Sequence, residues 1–188
     1  RALVEEAVDL AARPVSLHGL DPNRDLVVGG RHVHLGVGGA AVQILEGEKG
    51  FRDSTLQDLF ALGRVVEACD HIHYFLRPVV ARDMPDDLTL DINTAYACLA
   101  GTSKHVSVSV TKPETVQQLA ALCYALAGDE AAFRKRPFLT VMVCHVVPPM
   151  RFAEEACETL EAAILAGFPV QLISAGQAGA TSPATIAG

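Results

Sequence analysis

The sequence predicts an α/β fold in which parallel strands are joined by helical crossovers. Three observations carry that prediction. From residue 71 onward strand-like and helix-like segments alternate, and the strand segments begin at near-equal intervals, at 71, 105, 138 and 169. The segment "FLTVMVCHVV" (138–147) is almost continuously apolar, as a strand covered on both faces should be. Gly101, Gly128 and Gly167 each stand where a helical pattern stops, the position at which glycine relieves a left-handed terminus.

The elements follow in order. "ALVEEAVDLAA" (2–12) sets Leu3, Val4, Ala7 and Val8 on one side of a helix. Pro14 ends it, and "VSLHG" (15–19) reads as a short strand. "DLVVGGRHVHLGVGG" (25–39) gives two extended segments around Gly29 and Gly30, a hairpin signal. Ser54 or Thr55 caps a helix over 55–69, with Asp58 placed to return the bond. "HIHYFL" (71–76) is a strand, 87–101 a helix, and "HVSVSV" (105–110) an alternating strand. The helix over 112–128 carries Pro113 in its first turn. After the strand at 138–147, the helix over 152–167 turns Phe152, Ala156, Leu160, Ala163 and Ile164 to the core. "PVQLIS" (169–174) is the last strand.

With the segment at 15–19 included, this gives five core strands, fewer than the eight of a closed barrel. The alternation alone does not separate a doubly wound sheet from a (β/α)8 barrel. The whole span 1–188 reads as a single domain, and both of its ends look cut, as in a fragment of a longer chain.

Of the 188 residues half are hydrophobic, and 15 basic against 22 acidic residues give a net charge of −7. That balance argues against a nucleic-acid surface, which needs a basic patch. "RKR" (134–136), the one dense basic run, reads as a solvated turn. No apolar stretch reaches the roughly 18 residues of a membrane span, and no signal peptide is visible. Cys69, Cys98, Cys123, Cys144 and Cys157 are odd in number and never in C-x-x-C spacing. They predict reduced thiols and a cytoplasmic location.

In parallel α/β folds ligands bind at the carboxyl ends of the strands. "AGQAGATSPATIAG" (175–188) stands at such an end. Gly176, Gly179 and Ala180 permit close approach to backbone. Thr181 or Ser182 can cap a helix with Pro183 in its first position, and free N–H groups there would suit an anion or carboxylate. Tight packing of a helix start explains the same composition. His145 ends its strand and can hydrogen-bond a substrate or donate a proton; a satisfied structural histidine is the alternative. With Gly36, Gly38, Gln177, Gly179 and Thr181 it makes the candidate lining of the mouth. The pairs His32/His34 and His71/His73 have an H-x-H spacing that also serves zinc, but neither sits at the expected mouth. "GVGG" (36–39) misses the dinucleotide-binding register because residue 41 is alanine.

"GATSPATIAG" (179–188) resembles the G-A-T-x-P-x-T-x-A-G signature of the trimethylamine methyltransferase family, the corrinoid-dependent methyltransferases of methylated amines. "VHLGVGG" (33–39) resembles the family's early glycine-rich segment, which often has an aromatic residue in place of Leu35 and threonine in place of Val37. "SKHVSVSV" and "RPFLTVMVCHVVPPMRF" (136–152) are similar to its strands and Pro-containing loop. The resemblance implies a partial (β/α)8 TIM-type barrel. It implies an enzyme that moves a methyl group from a tertiary or quaternary amine, such as glycine betaine, to cobalt. The corrinoid would sit on a partner protein, with no cofactor held tightly by this chain. Part of the family carries pyrrolysine, at a position beyond Gly188. The ammonium cation would seek aromatic faces; Phe75, beside Tyr74 near a strand end, is the candidate, although one of the two must point away.

Two other readings compete. One is a metal-dependent barrel hydrolase using the H-x-H pairs. The other is a non-catalytic fragment that binds a small molecule or self-associates through exposed sheet edges.

Overall fold

The computed structural model describes residues 2–185. The chain opens with helix α1 (Ala2–Ala11), then the strands β1 (Val15–Leu17) and β2 (Leu26–Val28), followed by β3 (Gly36–Val37). Strands β4 (Gln43–Leu45) and β5 (Phe51–Asp53) lead into α2 (Leu56–Ala68), β6 (Tyr74–Leu76), α3 (Asp87–Gly101) and β7 (His105–Ser109). Helices α4 (Thr115–Ala127) and α5 (Glu130–Lys135) precede β8 (Leu139–Cys144). The short strands β9 (Val146–Val147) and β10 (Arg151–Phe152), helix α6 (Glu154–Leu165) and β11 (Val170–Ile173) complete the order.

Strands β3, β6, β7, β8 and β11 form one five-stranded parallel sheet, neighbours in space in the order of the chain. No strand order reverses, so the sheet winds in one direction with helical crossovers, consistent with part of an α/β barrel rather than a doubly wound sheet. Among the described residues it does not close: the outer edges of β3 and β11 have no partner strand.

Two sequence expectations are corrected here. The segment at 15–19 is not a strand of the parallel sheet. It pairs antiparallel with β2, Val15 opposite Val28. The early hairpin is therefore β1–β2, and the strand after Gly29 and Gly30 leaves it to join β6. Gly29 and Gly30, both at positive φ, turn the chain between the two sheets. The second small hairpin, β4–β5, has no signal in the periodicity of the sequence.

The helices pack on one face of the sheet. Phe75, Val106, Val108, Leu139, Val141 and Val143 are buried there against Leu59, Cys98, Leu119 and Ala163. Phe133 fills a gap between helix and sheet, its ring 5.6, 5.3 and 5.0 Å from those of Tyr124, Phe138 and Phe168. Its complete burial contributes about 2–3 kcal/mol. Helices α2 and α3 cross at Gly63 and Gly101: a Cβ on Gly63 would lie 3.0 Å from the Gly101 Cα. Larger residues would push the helices apart.

The predicted capping box opens α2: the Thr55 hydroxyl accepts from the Asp58 N–H, and the Asp58 carboxylate accepts from the Thr55 N–H at 2.8 Å. Its far end is closed by Lys104, whose Nζ donates to the carbonyls of Val66, Cys69 and Ile72 at 2.6–2.7 Å. The residue is 1% exposed, and its three donors meet carbonyls at and just past the helix end.

Hairpin β1–β2 is latched to the amino ends of the strands. Arg136 grips Asp25 with both guanidinium arms, at 2.7 and 3.0 Å. Asp25 also meets His18 at 2.9 Å, and this company holds its carboxyl down at about 2. Leu3, Val4, Val8 and Leu10 of α1 remain exposed, so the apolar side of that helix packs on nothing described.

Candidate functional site

Residues paired across a sheet point to the same face. The register therefore divides each strand. Phe75, Val106, Val108 and Val141 face the helices. Gly36, Tyr74, Leu76, His105, Ser107, Ser109, Thr140, Met142 and Gln171 face the other way, toward what would be the inside of a barrel. "HVSVSV" alternates for this reason: its polar side is an inner lining, where His105 and Ser107 are buried.

At the amino ends this inner face meets hairpin β1–β2 around a cavity of about 610 Å³. Val15, Leu17, Leu26 and Val28 form its apolar wall, and Tyr74, His105, Ser107, Thr140 and Gln171 the polar one. His105 Nδ1 lies 2.7 Å from the His18 carbonyl, which can only accept, so Nδ1 carries the proton and Nε2 accepts from the Thr140 hydroxyl at 2.7 Å. Burial lowers its pKa to about 4. His32 and His34 border the same cavity, and the His34 and His73 rings meet edge-on at 5.3 Å. Among the described residues no group of three or more His, Cys, Asp or Glu is arranged to hold a metal ion.

The carboxyl ends form the other pole. After β8, His145 enters the hairpin β9–β10, whose neck closes where the Ala153 N–H donates to the His145 carbonyl at 3.0 Å. After β11 the chain makes a compact turn. The Gln177 carbonyl accepts from the N–H groups of Ala180, Thr181 and Ser182 at 3.0–3.1 Å. The Thr181 hydroxyl accepts from the Gln177 N–H at 2.8 Å and donates to the Ala175 carbonyl. Gly179, at φ 76°, allows the reversal. The Met150 N–H then donates to the Ala180 carbonyl at 2.8 Å, joining hairpin and turn into one rim.

Gln177, Gly179 and Thr181 thus share one turn, which is hydrogen-bonded to the hairpin that follows His145. Within the turn the polar groups of Thr181 serve backbone, while the Gln177 side chain stays exposed and uncommitted. The His145 ring is half-buried, and its Nδ1 is sealed from solvent without a hydrogen-bond partner.

Gly36 and Gly38 lie at the open edge, and their role is steric. A side chain at Gly36 would collide with the Tyr74 ring, and one at Gly38 with Leu76. Phe75 does not reach the mouth: it is 0% exposed on the helix side. No helix begins at Pro183 within the described residues, where 183–185 are irregular. The helix terminus expected to attract an anion is therefore not seen among them, and Ile186, Ala187 and Gly188 of the motif lie outside them.

Four residues escaped the sequence reading. Phe152 was expected in the core but belongs to β10, is 69% exposed, and sets its ring 5.3 Å from that of His145. Ile164, also expected inside, is 57% exposed. Asp91 of α3 reaches the end of β7, accepting from the Thr111 N–H and hydroxyl at 2.7 and 2.8 Å. Burial raises its pKa. Arg77 lies close by, buried enough to lower its own pKa, with Nη1 unpartnered.

The profile of the family described as Trimethylamine methyltransferase (MTTB) matches residues 1–188, the entire chain. The chain belongs to this family. It is 32% identical over 187 residues to trimethylamine methyltransferase MttB of Desulfitobacterium hafniense, covering 99% of this chain and 37% of that protein. It is 29% identical over 192 residues to trimethylamine methyltransferase MttB1 of Methanosarcina mazei, covering 99% and 38%. To the glycine betaine methyltransferase of D. hafniense it is 25% identical over 189 residues, covering 100% and 39%. The chain therefore spans less than two-fifths of the length of these relatives. In this MTTB-family chain, the part of the signature within the described residues is the rim turn itself, residues 179–185.

Proposed function

We propose that this chain forms part of a methyltransferase that takes a methyl group from a tertiary or quaternary amine, such as a betaine, and passes it to the cobalt of a corrinoid carried by a separate protein. The family match and the named relatives support methyl transfer from methylated amines. The single observation that supports a site is the Met150–Ala180 bond, which ties the hairpin following His145 to the signature turn.

The corrinoid, when it docks, supplies the nucleophilic metal. The chain's own residues bind and orient the amine, which is the larger share of catalysis for a substrate that already carries its leaving group. The exposed Gln177 carboxamide offers neutral hydrogen bonds. Gly179 keeps the turn free of bulk. A quaternary ammonium leaves as a neutral amine without a proton, whereas a tertiary amine must hold one on nitrogen as the C–N bond breaks. His145, on the hairpin beside that turn, is the side chain we assign to hydrogen-bond this nitrogen as the bond breaks. Met150 and Phe152, both exposed, give the rim the apolar surface that a protein-borne macrocycle would meet.

A metal-dependent hydrolase is the weaker reading, because His32, His34 and His73 gather at the other pole and form no ligand set. The five unpaired cysteines support a cytoplasmic setting. No helix among the described residues is long and apolar enough to cross a membrane.

The test is to mix the full-length protein with free cob(I)alamin and a panel of methylated amines and follow methylation of the cobalt by absorbance. Turnover of at least one tertiary or quaternary amine is expected. If several amines bind and none is demethylated, the reading fails.

A further inference from the structure

We propose that Phe152 is a positioning residue for His145, holding its imidazole so that only Nε2 can act at the mouth. The chemical part of this rests on the methyl-transfer reading above; the geometric part does not.

Four observations converge. The two rings sit 5.3 Å apart and are inclined at 42°. The hairpin fixes both backbones: Phe152 pairs with Val146, and Ala153 binds the His145 carbonyl, so neither residue can drift from the other. His145 Nδ1 is shut off from solvent yet has no hydrogen-bond partner, an arrangement that costs free energy in a histidine with no task. Phe152 itself is 69% exposed, far more than a core phenylalanine.

The second and third observations separate positioning from packing. Metal-bound and catalytic histidines usually have one ring nitrogen anchored by a hydrogen bond, which sets the role of the other. Here no such anchor exists. The ring contact and the dry environment take its place: Nδ1 faces nothing that could exchange a proton with it, and Nε2 is left as the working atom. The exposure of Phe152 also means that its removal should spare the core.

The experiment is side-chain NMR of the full-length protein carrying isotope-labelled histidine, with the His145 signals identified through His145→Gln. In wild type the ring should be immobile on the nanosecond scale, with Nδ1 showing no hydrogen bond. Phe152→Ala should mobilise the ring and move the Nδ1 resonance as water reaches it. Phe152→Tyr, which keeps an aromatic ring, should leave both signals as in wild type, and Phe152→Leu should fall between. Unchanged His145 signals in Phe152→Ala, with the circular dichroism intact, would overturn the proposal. In the methyl-transfer assay with a tertiary amine, Phe152→Ala should lower kcat about tenfold and leave KM within about threefold. A mobilised ring with unaltered kcat would uphold the positioning and refute the role given to His145 in the reaction.

Discussion

The backbone N–H of Met150 donates to the carbonyl of Ala180 across 2.8 Å. Twenty-nine residues of chain, including all of α6 and β11, separate the two. The bond exists because consecutive parallel strands deliver their trailing loops to the same pole, so the loop after β8 and the turn after β11 become neighbours. Position in the sheet, and no local motif, creates the rim.

Lys104, a buried lysine, is expected to be sensitive to substitution. Lys104→Met keeps much of the side-chain volume but removes the three hydrogen bonds to the carbonyls of Val66, Cys69 and Ile72, the first two of which keep a backbone N–H donor. Loss of three such bonds costs about 3 kcal/mol together. Urea unfolding should show that loss with an unchanged slope. Lys104→Arg should not restore it, because a planar fork cannot point at three carbonyls around a point charge.

His105 makes the protein acid-sensitive before its carboxylates do. Burial lowers its pKa from 6.5 to about 4 in the folded state. Between those values the unfolded chain binds a proton that the folded chain refuses. Stability therefore falls as the pH drops through this window, by about 3 kcal/mol in all, and the effect is absent above it. His105→Asn retains a donor for the His18 carbonyl and cannot titrate there. Its urea midpoint should vary less between pH 7 and 4 than that of wild type.

The cysteines should divide into two groups. Cys98 and Cys123 are fully buried, and burial pushes both thiols up to about 12. Cys144 and Cys157 are exposed. Peptide mass spectrometry after brief iodoacetamide treatment should find the second pair alkylated and the first untouched until denaturant is added.

The helices were legible because their signals are local. Thr55 and Asp58 name their own capping box, and Gly128 and Gly167 mark their own helix ends, whereas Gly101 keeps right-handed φ and is small because Gly63 packs against it. The parallel strands with helical crossovers followed from the alternation and spacing, whereas their sequential order was implied only by the family resemblance. What stayed hidden depends on partners distant in sequence. Val15–Leu17 reads as a strand, but nothing in it says that β2, rather than the parallel sheet, will receive it. Tyr74 and Phe75 are adjacent, and choosing which one faces inward requires knowing that Gly36 and Gly38 make room for Tyr74 and Leu76. Phe152 fits the helical rhythm of 152–167, yet the Ala153–His145 bond holds it in a hairpin at the rim. His145, Gln177 and Thr181 were found through strand-end geometry, whereas Asp91 and Thr111, on separate elements, carry no shared signal.

The most direct test of the shared rim is amide hydrogen exchange at Met150, measured in wild type and in Thr181→Val. The substitution removes the hydroxyl that ties Gln177 to Ala175 and so loosens the turn presenting the Ala180 carbonyl. The Met150 amide should be protected in wild type, and its exchange should quicken about tenfold in the variant, although the altered residue lies on a different loop. A Met150 amide that exchanges at the unprotected rate in wild type would contradict the shared rim and the site built on it.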